Sequence, residues 1–477
     1  MVFHKYLHLA ASLFVSSQVA GAVPYQQPLT GGFATAPPST SSPGFSRVRQ
    51  NDSLCDAGSA QWTGTVRVGK DRNLFYWYFE SRHDPENAPL VLWMNGGPGA
   101  SSMLGALFEV GPCSVNDNGT GTRRNEYSWT EFANVVFIDQ PVGVGLSATN
   151  DSELWARDLA EAGVDFSRFL DTFVEEVFPE LENRPIHITA ESYGGHYGPS
   201  YTAMLRRKIA SLILVDPFID WNLLVLGAYE HLCVPGPLVR NGRQFNATAC
   251  EEMEQFYPSC EKSAKLCLAT NDGDTCWAAF EVCDHIWTQF YQTVIAGGWN
   301  PYDDRRVCDE PPLCGGQGMT QVDAFLNLDI VKRALELPSE FVFSSVAWEF
   351  NEKWSNTTET YVPTTREVAK ILDVKQTSVL VINGMNDIGI NWEGMTEVLN
   401  SVSWSGQARF KTQALRAWTL HDDSAEEIAR GNFKWHDRLA IVNVDEAGHM
   451  SPHDQPAATS FVMKKWLEKH TLEDLEA

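Results

Sequence analysis

A serine stands between an acidic and an aromatic residue in the stretch ITAESYGGHYGP, residues 188 to 199. Ser192 follows an apolar run, and Gly194 and Gly195 then open a plausible helix. This context is typical of a nucleophile elbow, a strained strand-to-helix turn that exposes the serine hydroxyl at the edge of a sheet. The first glycine of the usual G-x-S-x-G pattern is Ala190 here. The motif alone therefore leaves open whether Ser192 is a nucleophile or an ordinary loop serine.

A nucleophilic serine needs a base, and the base needs a carboxylate that orients it. Asp387 follows the apolar run SVLVING, and His449 lies in a glycine-containing loop after the run LAIVNVD. Open α/β sheets collect their functional residues where loops leave the carboxyl ends of strands. The order serine, aspartate, histidine is that of α/β-hydrolases. Because each of the three candidates follows a strand, the set favours a catalytic triad over isolated surface residues.

A glycine-rich turn, LWMNGGPGASS at residues 92 to 102, follows another apolar run. It lacks the Lys-Ser/Thr pair of a phosphate-binding P-loop. Its backbone is suited to one half of an oxyanion hole, in which the N–H of Gly97 opposes the N–H of Tyr193 at the start of the next helix. Considered alone, the turn has an equally simple interpretation as a tight connection without chemical consequence.

Strands and helices that could position these residues alternate along the chain. Residues 152–177 show apolar residues at spacings of three and four, which predicts an amphipathic helix. Strands alternating with such helices predict an α/β protein with a parallel sheet covered on both faces. Buried strands are predicted from apolar runs at residues 88–95, 134–141, 184–190, 378–384 and 439–445.

The alternation stops between about residues 223 and 365, where seven cysteines lie between Cys233 and Cys308 and Cys314 follows. This stretch predicts an insertion, or cap, held by disulfides. The predicted segments are a signal peptide at 1–22, a linker or pro-segment at 23–45, the core at 46–222 and 366–477, and the insertion at 223–365.

Composition and the N-terminus limit the possible partners and the compartment. The chain carries 61 acidic residues against 36 lysines and arginines, a net charge of −25, which excludes nucleic acid and anionic membranes as natural partners. A short basic region, a moderately apolar run and the small residues Ala20–Ala22 predict a secretory signal too short to remain as a membrane anchor. An even number of cysteines fits an oxidising compartment. Five glycosylation sequons support a glycoprotein that is secreted, with the vacuole as the less favoured location; they are at Asn51, Asn118, Asn150, Asn246 and Asn356.

Five motifs in this order and spacing resemble the serine carboxypeptidase family, of which carboxypeptidase Y is a familiar member. They are WMNGGPGASS, IDQPVGVGLS, ESYGGHYGP, NGMND and AGHMSPHDQP, and the resemblance covers about residues 55 to 470. LCDAG and EVGPCSV are most similar to the secreted fungal carboxypeptidases of the S1 type. The resemblance implies an α/β-hydrolase fold with a disulfide-rich cap, and an enzyme that removes C-terminal residues from peptides and proteins at acidic pH through an acyl-enzyme.

The resemblance also assigns roles to residues of this chain. Ser192, Asp387 and His449 match the family's triad, and Gly97 and Tyr193 match its oxyanion-hole donors. The group that binds the terminal carboxylate of the substrate is matched by Asn95, Glu109 and Glu191, with Trp93 beside them.

Two glutamates can bind a carboxylate only if they hold a proton between them and donate it in a hydrogen bond. Burial and mutual repulsion both raise the pKa of a carboxyl group. We therefore expect Glu109 and Glu191 to share a proton below neutral pH and to lose C-terminal recognition as they ionise. Uncharged esters should keep more activity at higher pH than peptides do.

Disulfide pairing comes from the resemblance, because spacing arithmetic leaves hundreds of possibilities. It implies the pairs Cys233–Cys250, Cys260–Cys283, Cys267–Cys276 and Cys308–Cys314. The family usually has a cysteine where Ala100 stands, bonded to one near Ser344 and Ser345, and both are absent here. Cys55 and Cys113 then remain to pair with each other.

The chain departs from the family in two places. The stretch RRKIASLILVDPFIDWNLL is shorter than its counterpart and has VDP in place of an Asn-Gly-type turn near the substrate site. Ser451 and His453 stand where the family usually carries apolar residues; His449 is preferred as the base because Gly448-His449 matches the motif.

Two other functions stay open: an acyltransferase on the same scaffold, and a secreted homologue impaired by changes at 205–222. An esterase or lipase is less favoured, because the glutamates and Asn95 would have no carboxylate to bind.

No cofactor or metal is predicted. The 12 histidines form no H-E-x-x-H pattern, and the cysteines are better used as disulfides than as zinc ligands. The expected partners are peptide or protein substrates with a free C-terminus.

Overall fold

The computed structural model describes residues 44–149, 151–308, 314, 318–421, 426–472 and 475. The predicted signal peptide, most of the predicted linker and the sequon at Asn150 lie outside the described residues. Residues 44 and 45 already contact the core, since the Arg67 N–H donates to the Gly44 carbonyl and Phe45 forms a β-bridge with Val66.

A sheet of eleven strands runs through the described part of the chain in the order β1-β2-β3-β7-β4-β8-β9-β14-β17-β16-β15. Its strands are β1 (Val48–Gln50), β2 (Gln61–Gly69), β3 (Arg72–Phe79), β4 (Leu90–Met94), β7 (Asn134–Asp139), β8 (Ile186–Glu191), β9 (Ser211–Val215), β14 (Ser378–Gly384), β15 (Arg416–His421), β16 (Glu427–His436) and β17 (Leu439–Val444). Two-stranded sheets are formed by β5 (Cys113–Val115) with β6 (Thr122–Arg124), β10 (Val239–Arg240) with β11 (Arg243–Gln244), and β12 (Trp299–Asn300) with β13 (Asp303–Val307).

The six central strands, from β7 to β17 in the sheet order, are parallel. They include all five of the predicted strands, and every residue in them is buried, as continuous apolar runs require. The sheet as a whole is mixed: the predicted parallel strands form its centre, and β1, β2 and β3 on one side and β16 and β15 on the other pair antiparallel. The outermost of these strands alternate buried and exposed residues, a pattern that antiparallel strands tolerate because one face can meet solvent.

Helices cover both faces of the sheet. One apolar core contains Leu92 and Ile188 and packs under α1 and α2; the other contains Val91 and Trp93 and packs under α13. The helices are α1 (Leu159–Thr172), α2 (Gly194–Met204), α3 (Trp221–Cys233), α4 (Ala247–Thr270), α5 (Gly273–Ala296), α6 (Met319–Leu326), α7 (Asp329–Ala334), α8 (Trp348–Ser355), α9 (Thr365–Asp373), α10 (Trp392–Ser401), α11 (Gln407–Thr412), α12 (Ser451–Asp454) and α13 (Pro456–Lys469).

The predicted helix at 152–177 is divided into three pieces. A 3₁₀ turn at Ser152–Leu154 precedes α1, and a π-helical turn at Phe173–Val177 follows it. The α-helix begins where the Asp158 side chain accepts the Glu161 N–H, which satisfies one of the amides left free at a helix start.

Elements α3 to α8 and β10 to β13 lie outside the large sheet, in the stretch predicted to be an insertion. All ten cysteines are paired as the resemblance implies: Cys55–Cys113, Cys233–Cys250, Cys260–Cys283, Cys267–Cys276 and Cys308–Cys314. Two of these bonds join α4 to α5. Within the described residues, no helix combines the length and apolarity needed to cross a bilayer.

The shortened segment before residue 222 forms a complete central strand. β9 pairs in parallel with β8 on one side and β14 on the other, so the sheet is continuous there. Asp220 then accepts the Leu223 N–H and caps α3. The shortened segment therefore leaves the central strand intact, and the turn of residues 216–219 connects it to α3.

Candidate active site

Ser192 lies on the turn between β8 and α2 with a φ of +58°, in the left-handed region that side chains rarely adopt. Its N–H donates to the Val215 carbonyl at 3.0 Å, and its carbonyl accepts the Phe218 N–H at 2.7 Å. A side chain at position 195 would collide, because its Cβ would lie 2.5 Å from the Phe218 oxygen. The turn thus has the strained geometry predicted for a nucleophile elbow.

The motif's missing first glycine has a simple explanation. The Ala190 methyl packs directly on α2, where a Cβ at Gly194 would lie 2.7 Å from it and one at Gly198 would lie 3.1 Å from it. Glycines on the helix make room for the alanine on the strand, so the close packing of strand and helix is kept.

His449 and Asp387 are hydrogen-bonded, with 2.6 Å between Nδ1 and Oδ2. Asp387 is fully buried, and its other oxygen accepts the Ile390 N–H at 3.0 Å. The histidine loop is held by the His449 N–H, which donates to the Tyr302 carbonyl at 2.8 Å, and by the Gly448 N–H, which donates to Asp454 at 2.8 Å. Burial lowers the pKa of His449, but the neighbouring carboxylates, Asp387 above all, outweigh burial and raise it above its ordinary value.

The second histidine of this loop points elsewhere. His453 stacks on Phe108 with 3.9 Å between ring centroids, and its Nδ1 lies 3.1 Å from the Phe108 carbonyl oxygen. The contact with Asp387 is made by His449, the base that the motif favours.

The glycine-rich turn after β4 lies against the serine turn. A Cβ at Gly96 would be 2.3 Å from the Tyr193 nitrogen, so only glycine permits this approach. Gly97 has a φ of +100°, a conformation that glycine adopts without strain. Among the described residues, no protein acceptor is found for the N–H of Gly97 or Tyr193. Both N–H groups are therefore available beside Ser192.

Asn95, Glu109 and Glu191 form one buried cluster, each at most 4% exposed. The Asn95 amide donates to Glu191 and, over 3.4 Å, to Glu109. Trp93 orients that amide, because its indole N–H donates to the Asn95 Oδ1 at 2.7 Å. Among the described residues, Glu109 Oε2 and Glu191 Oε1 are buried without a hydrogen-bond partner. The cluster thus brings one amide donor and two carboxyl groups together next to the serine.

The protonation of the two glutamates follows from their surroundings. Burial raises the pKa of Glu109 to about 7, against the lowering effect of the neighbouring Glu191 and Asn95 side chains. Burial and then repulsion by Glu109 raise the pKa of Glu191 well above its ordinary value. Both raised pKa values favour protonated carboxyl groups at acidic pH, and Glu109 ionises as the pH rises through about 7.

Ser192 and His449 line one pocket together with Asn95, Gly97 and Glu191. The rest of its wall is mainly apolar and was not identified from the sequence, namely Ala100, Leu104, Tyr302, Met319 and Met450. These residues come from three distant parts of the chain, and apolar residues near a motif carry no chemical signal.

The family's missing disulfide is replaced by backbone pairing. Ala100 forms a β-bridge with Val346, the Ala347 N–H donates to the Gly99 carbonyl at 2.9 Å, and the Ser101 N–H donates to the Ser345 carbonyl at 2.9 Å. The two segments remain adjacent, so the wall of the pocket is kept without the covalent bond.

The described residues contain no group of three or more histidines, cysteines, aspartates or glutamates arranged to hold a metal ion. The four sequon asparagines that the structure describes are exposed, at Asn51, Asn118, Asn246 and Asn356.

Comparisons with known proteins agree with the geometry. The serine carboxypeptidase family profile matches residues 54–469. Carboxypeptidase Y homolog A of Uncinocarpus reesii is 32% identical over 421 residues, 86% of this chain and 75% of the relative, and carboxypeptidase Y of Candida albicans is 32% identical over 85% of this chain and 73% of the relative. The crystal structure of a prohormone-processing carboxypeptidase from Saccharomyces cerevisiae has the same fold, with a TM-score of 0.71 at 22% identity over 86% of this chain and 91% of that one. The chain belongs to the serine carboxypeptidase family.

Proposed function

We propose that this serine carboxypeptidase uses Ser192, His449 and Asp387 to remove residues from the free C-terminus of peptides and proteins at acidic pH. The observation that carries the proposal is one pocket in which the serine and the Asp387-bound histidine lie beside a buried, proton-holding carboxyl pair. The triad supplies acyl-transfer chemistry, and the pair explains why the substrate must end in a carboxylate.

The chemistry follows from the hydrogen bonds. Asp387 accepts the Nδ1–H of His449, which leaves Nε2 free to take the proton of Ser192 as the hydroxyl attacks the last peptide carbonyl. The N–H groups of Gly97 and Tyr193 stabilise the negative oxygen that develops. His449 then gives its proton to the leaving amino group, and water attacks the acyl-enzyme after the freed amino acid departs.

The carboxylate of the substrate is bound by Asn95, Glu109 and Glu191. The amide of Asn95 donates one hydrogen bond, and the proton held between the glutamates supplies another, because an ionised pair would repel the substrate instead. We expect recognition to be strongest at acidic pH and to weaken as Glu109, whose pKa is raised to about 7, ionises. An ester without a terminal carboxylate lacks this contact, so its hydrolysis should persist at higher pH.

The covalent structure supports a compartment outside the cytosol. Five disulfides are stable where thiols are oxidised, outside the reducing cytosol. Together with the signal-like N-terminus and the exposed sequon asparagines, they support secretion as a glycoprotein.

The test is release of free leucine from an N-blocked Phe-Leu dipeptide between about pH 4 and about pH 8, a range that spans the titration of the pair. We expect release to fall towards neutrality and to vanish in Ser192→Ala, which should also lose labelling by a fluorophosphonate. An N-blocked phenylalanine ethyl ester is the matched substrate without a carboxylate. If Ser192→Ala kept its activity, the proposed nucleophile would be wrong. If peptide and ester showed the same pH dependence, the carboxylate site would be wrong.

A further inference from the structure

Asp216 lies in the turn directly after the central strand β9, a position that the triad does not explain. It is fully buried and has a φ of +42°, in the left-handed region. Its N–H donates to the Ile382 carbonyl at 2.8 Å, and its Oδ1 accepts the Gly384 N–H at 2.6 Å. Gly384 begins the turn that carries Asp387. The Asp216 side chain thus supports the turn from which the triad acid projects.

The same turn also supports the nucleophile. Val215, just before Asp216, accepts the Ser192 N–H, and Phe218, two residues after it, donates its N–H to the Ser192 carbonyl. One four-residue connection therefore contacts the serine turn on one side and the aspartate turn on the other. A change in its conformation would move both members of the triad relative to each other.

Asp216 adds a further carboxyl group to a crowded region. The charged or titratable groups that act on it, or on which it acts, are Asp387 on the β14 turn, His449 on the loop before α12, and Glu191 on β8. Two buried carboxylates of equal charge facing one imidazole would repel each other in a medium of low polarity. Burial and then repulsion by Asp387 raise the pKa of Asp216 well above its ordinary value, although His449, the Gly384 N–H and the Ser451 hydroxyl each lower it.

The hydrogen bond with Gly384 uses only one of the two carboxyl oxygens of Asp216. Its Oδ2 is buried, and so is the Ser451 Oγ, and within the described residues neither has a hydrogen-bond partner of ordinary length. The Ser451 hydroxyl is nevertheless near enough to affect the Asp216 carboxyl. The two orphaned oxygens can pair with each other, either with the Ser451 hydroxyl donating to Oδ2 or with a proton on Oδ2 donating to Ser451.

We propose that Asp216 is a positioning residue for the triad, held as a neutral carboxylic acid whose Oδ1 accepts the Gly384 N–H and whose proton is shared with Ser451. Asp387 then carries the only negative charge that faces the Nδ1–H of His449. The inference rests on the proposed triad of Ser192, Asp387 and His449. It assigns Asp216 no contact with substrate.

Two substitutions at this position separate its two properties. Asp216→Asn keeps an oxygen for the Gly384 N–H and places an amide N–H where the proton would be, so it imitates the neutral acid. Asp216→Ala removes both. Asp220→Ala is the matched control, because it also removes a buried carboxyl that accepts one backbone N–H, that of Leu223, but lies at the cap of α3.

The experiment measures kcat and KM for an activated ester across pH, with each variant checked for folding by thermal unfolding. We expect Asp216→Ala to lower kcat at least tenfold with little change in KM, Asp216→Asn to restore kcat to within about threefold of the original, and Asp220→Ala to keep kcat within about twofold. The acidic limb of the kcat/KM profile, which reports His449, should lie at the same pH in Asp216→Asn as in the original enzyme.

A second readout has a definite sign. A carboxyl group whose pKa is raised in the folded state stabilises the fold at low pH, and that stability is lost as the pH rises through the raised pKa. The melting temperature of Asp216→Asn should therefore exceed that of the original enzyme by a margin that grows with pH. This comparison holds even if Asp216→Ala does not fold.

The proposal is overturned if Asp216→Asn moves the acidic limb to lower pH by about one unit, since Asp216 would then be an ion that stabilises protonated His449. It is also overturned if the melting-temperature difference has the opposite sign, or if Asp216→Ala keeps full activity. Ser192→Ala separates a failure of the proposed triad from a failure of the proposed role of Asp216. Activity that survives in Ser192→Ala would refute the triad, whereas the Asp216 variants can refute only the positioning role.

Discussion

Two pairs of buried carboxyl groups flank Ser192, and they differ in what stands next to them. In the first pair, Asp387 is hydrogen-bonded to the imidazole of His449, a group that can carry positive charge, and Asp216 interacts with both. Glu109 and Glu191 instead face the amide of Asn95, which is neutral at every pH. Burial acts on all four carboxyl groups.

The neighbour determines which form of the acid is useful. Next to a histidine, one carboxylate can be ionised and orient the base, because its charge is balanced when the imidazole takes a proton. Next to an amide, two carboxylates would only repel each other, so a proton is retained and becomes a hydrogen-bond donor. A carboxyl group thus contacts the histidine on one side of Ser192, and on the other side we propose that a protonated carboxyl group donates to substrate.

The largest expected effect comes from removing the charge that orients His449. Asp387→Asn keeps the size of the side chain but favours the wrong imidazole tautomer, and we expect kcat to fall about 10,000-fold for esters and peptides alike. Steady-state kinetics with both substrates measures it. Asp220→Asn, which keeps the cap of α3, is the control and should remain active. A loss for peptides alone would show that Asp387 belongs functionally with the glutamates.

Glu191→Gln tests the other pair. It replaces an acid that donates only while protonated by an amide that donates at every pH, so we expect KM for peptides at acidic pH to change little and KM at about pH 8 to be about 10- to 100-fold lower than in the original enzyme, the effect of keeping a hydrogen bond to a charged group. The rise of KM with pH should also become shallower. An N-blocked ester should be affected much less, because it has no carboxylate to bind. An unchanged pH dependence of peptide KM would refute the shared proton.

The protons of the glutamate pair should also appear in stability. Because burial raises the pKa of Glu109 in the folded state to about 7, its contribution to the free energy of unfolding is present at low pH and is lost as the pH rises through about 7. Denaturant titrations should show that the free energy of unfolding decreases between about pH 5 and about pH 8. We expect this decrease to be smaller in Glu109→Gln than in the original enzyme by about 2 kcal/mol. Glu126→Gln, an exposed neighbour, is the control. If the free energy of unfolding decreased equally in Glu109→Gln and in the original enzyme, Glu109 would already be ionised at about pH 5.

The smallest effect is expected at the second histidine. Burial lowers the pKa of His453, which disfavours the charged imidazole that could balance the glutamates. We expect His453→Gln to change kcat/KM for peptides by less than about twofold and to leave the pH profile in place. A shift of that profile to lower or higher pH would show that His453 is electrically coupled to Glu109 and would weaken the contrast between the two pairs.

Much of the fold could be predicted from the chain, because strands buried on both faces are continuous apolar runs. Five of the six central strands were identified in this way. β9 was not predicted because its apolar run, SLILV, is short and lies in a segment that is shorter than its counterpart in the family. The antiparallel edges were missed because strands such as β15 alternate with polar residues, a pattern shared with loops.

The candidate site shows the same division. Ser192, Asp387 and His449 could be identified because each follows an apolar run, and the glycines of the two turns mark places where a side chain would collide. Tyr302 and Met319 could not be identified, because they come from the disulfide-rich insertion and reach the pocket only through its folding. Asp216 looked like an irregularity in a shortened loop, and its role depends on β9 lying next to β14.

The sequence by itself determined which chemical groups are available and in what order they follow the strands, because apolar periodicity and turn residues are local properties. The tertiary structure decided what each group can do. The pKa of a carboxyl group depends on how completely water is removed from it and on the charges that approach it from distant parts of the chain. Residues 191 and 387 are therefore both acids in the sequence, and only the fold gives one an amide and the other an imidazole as its partner.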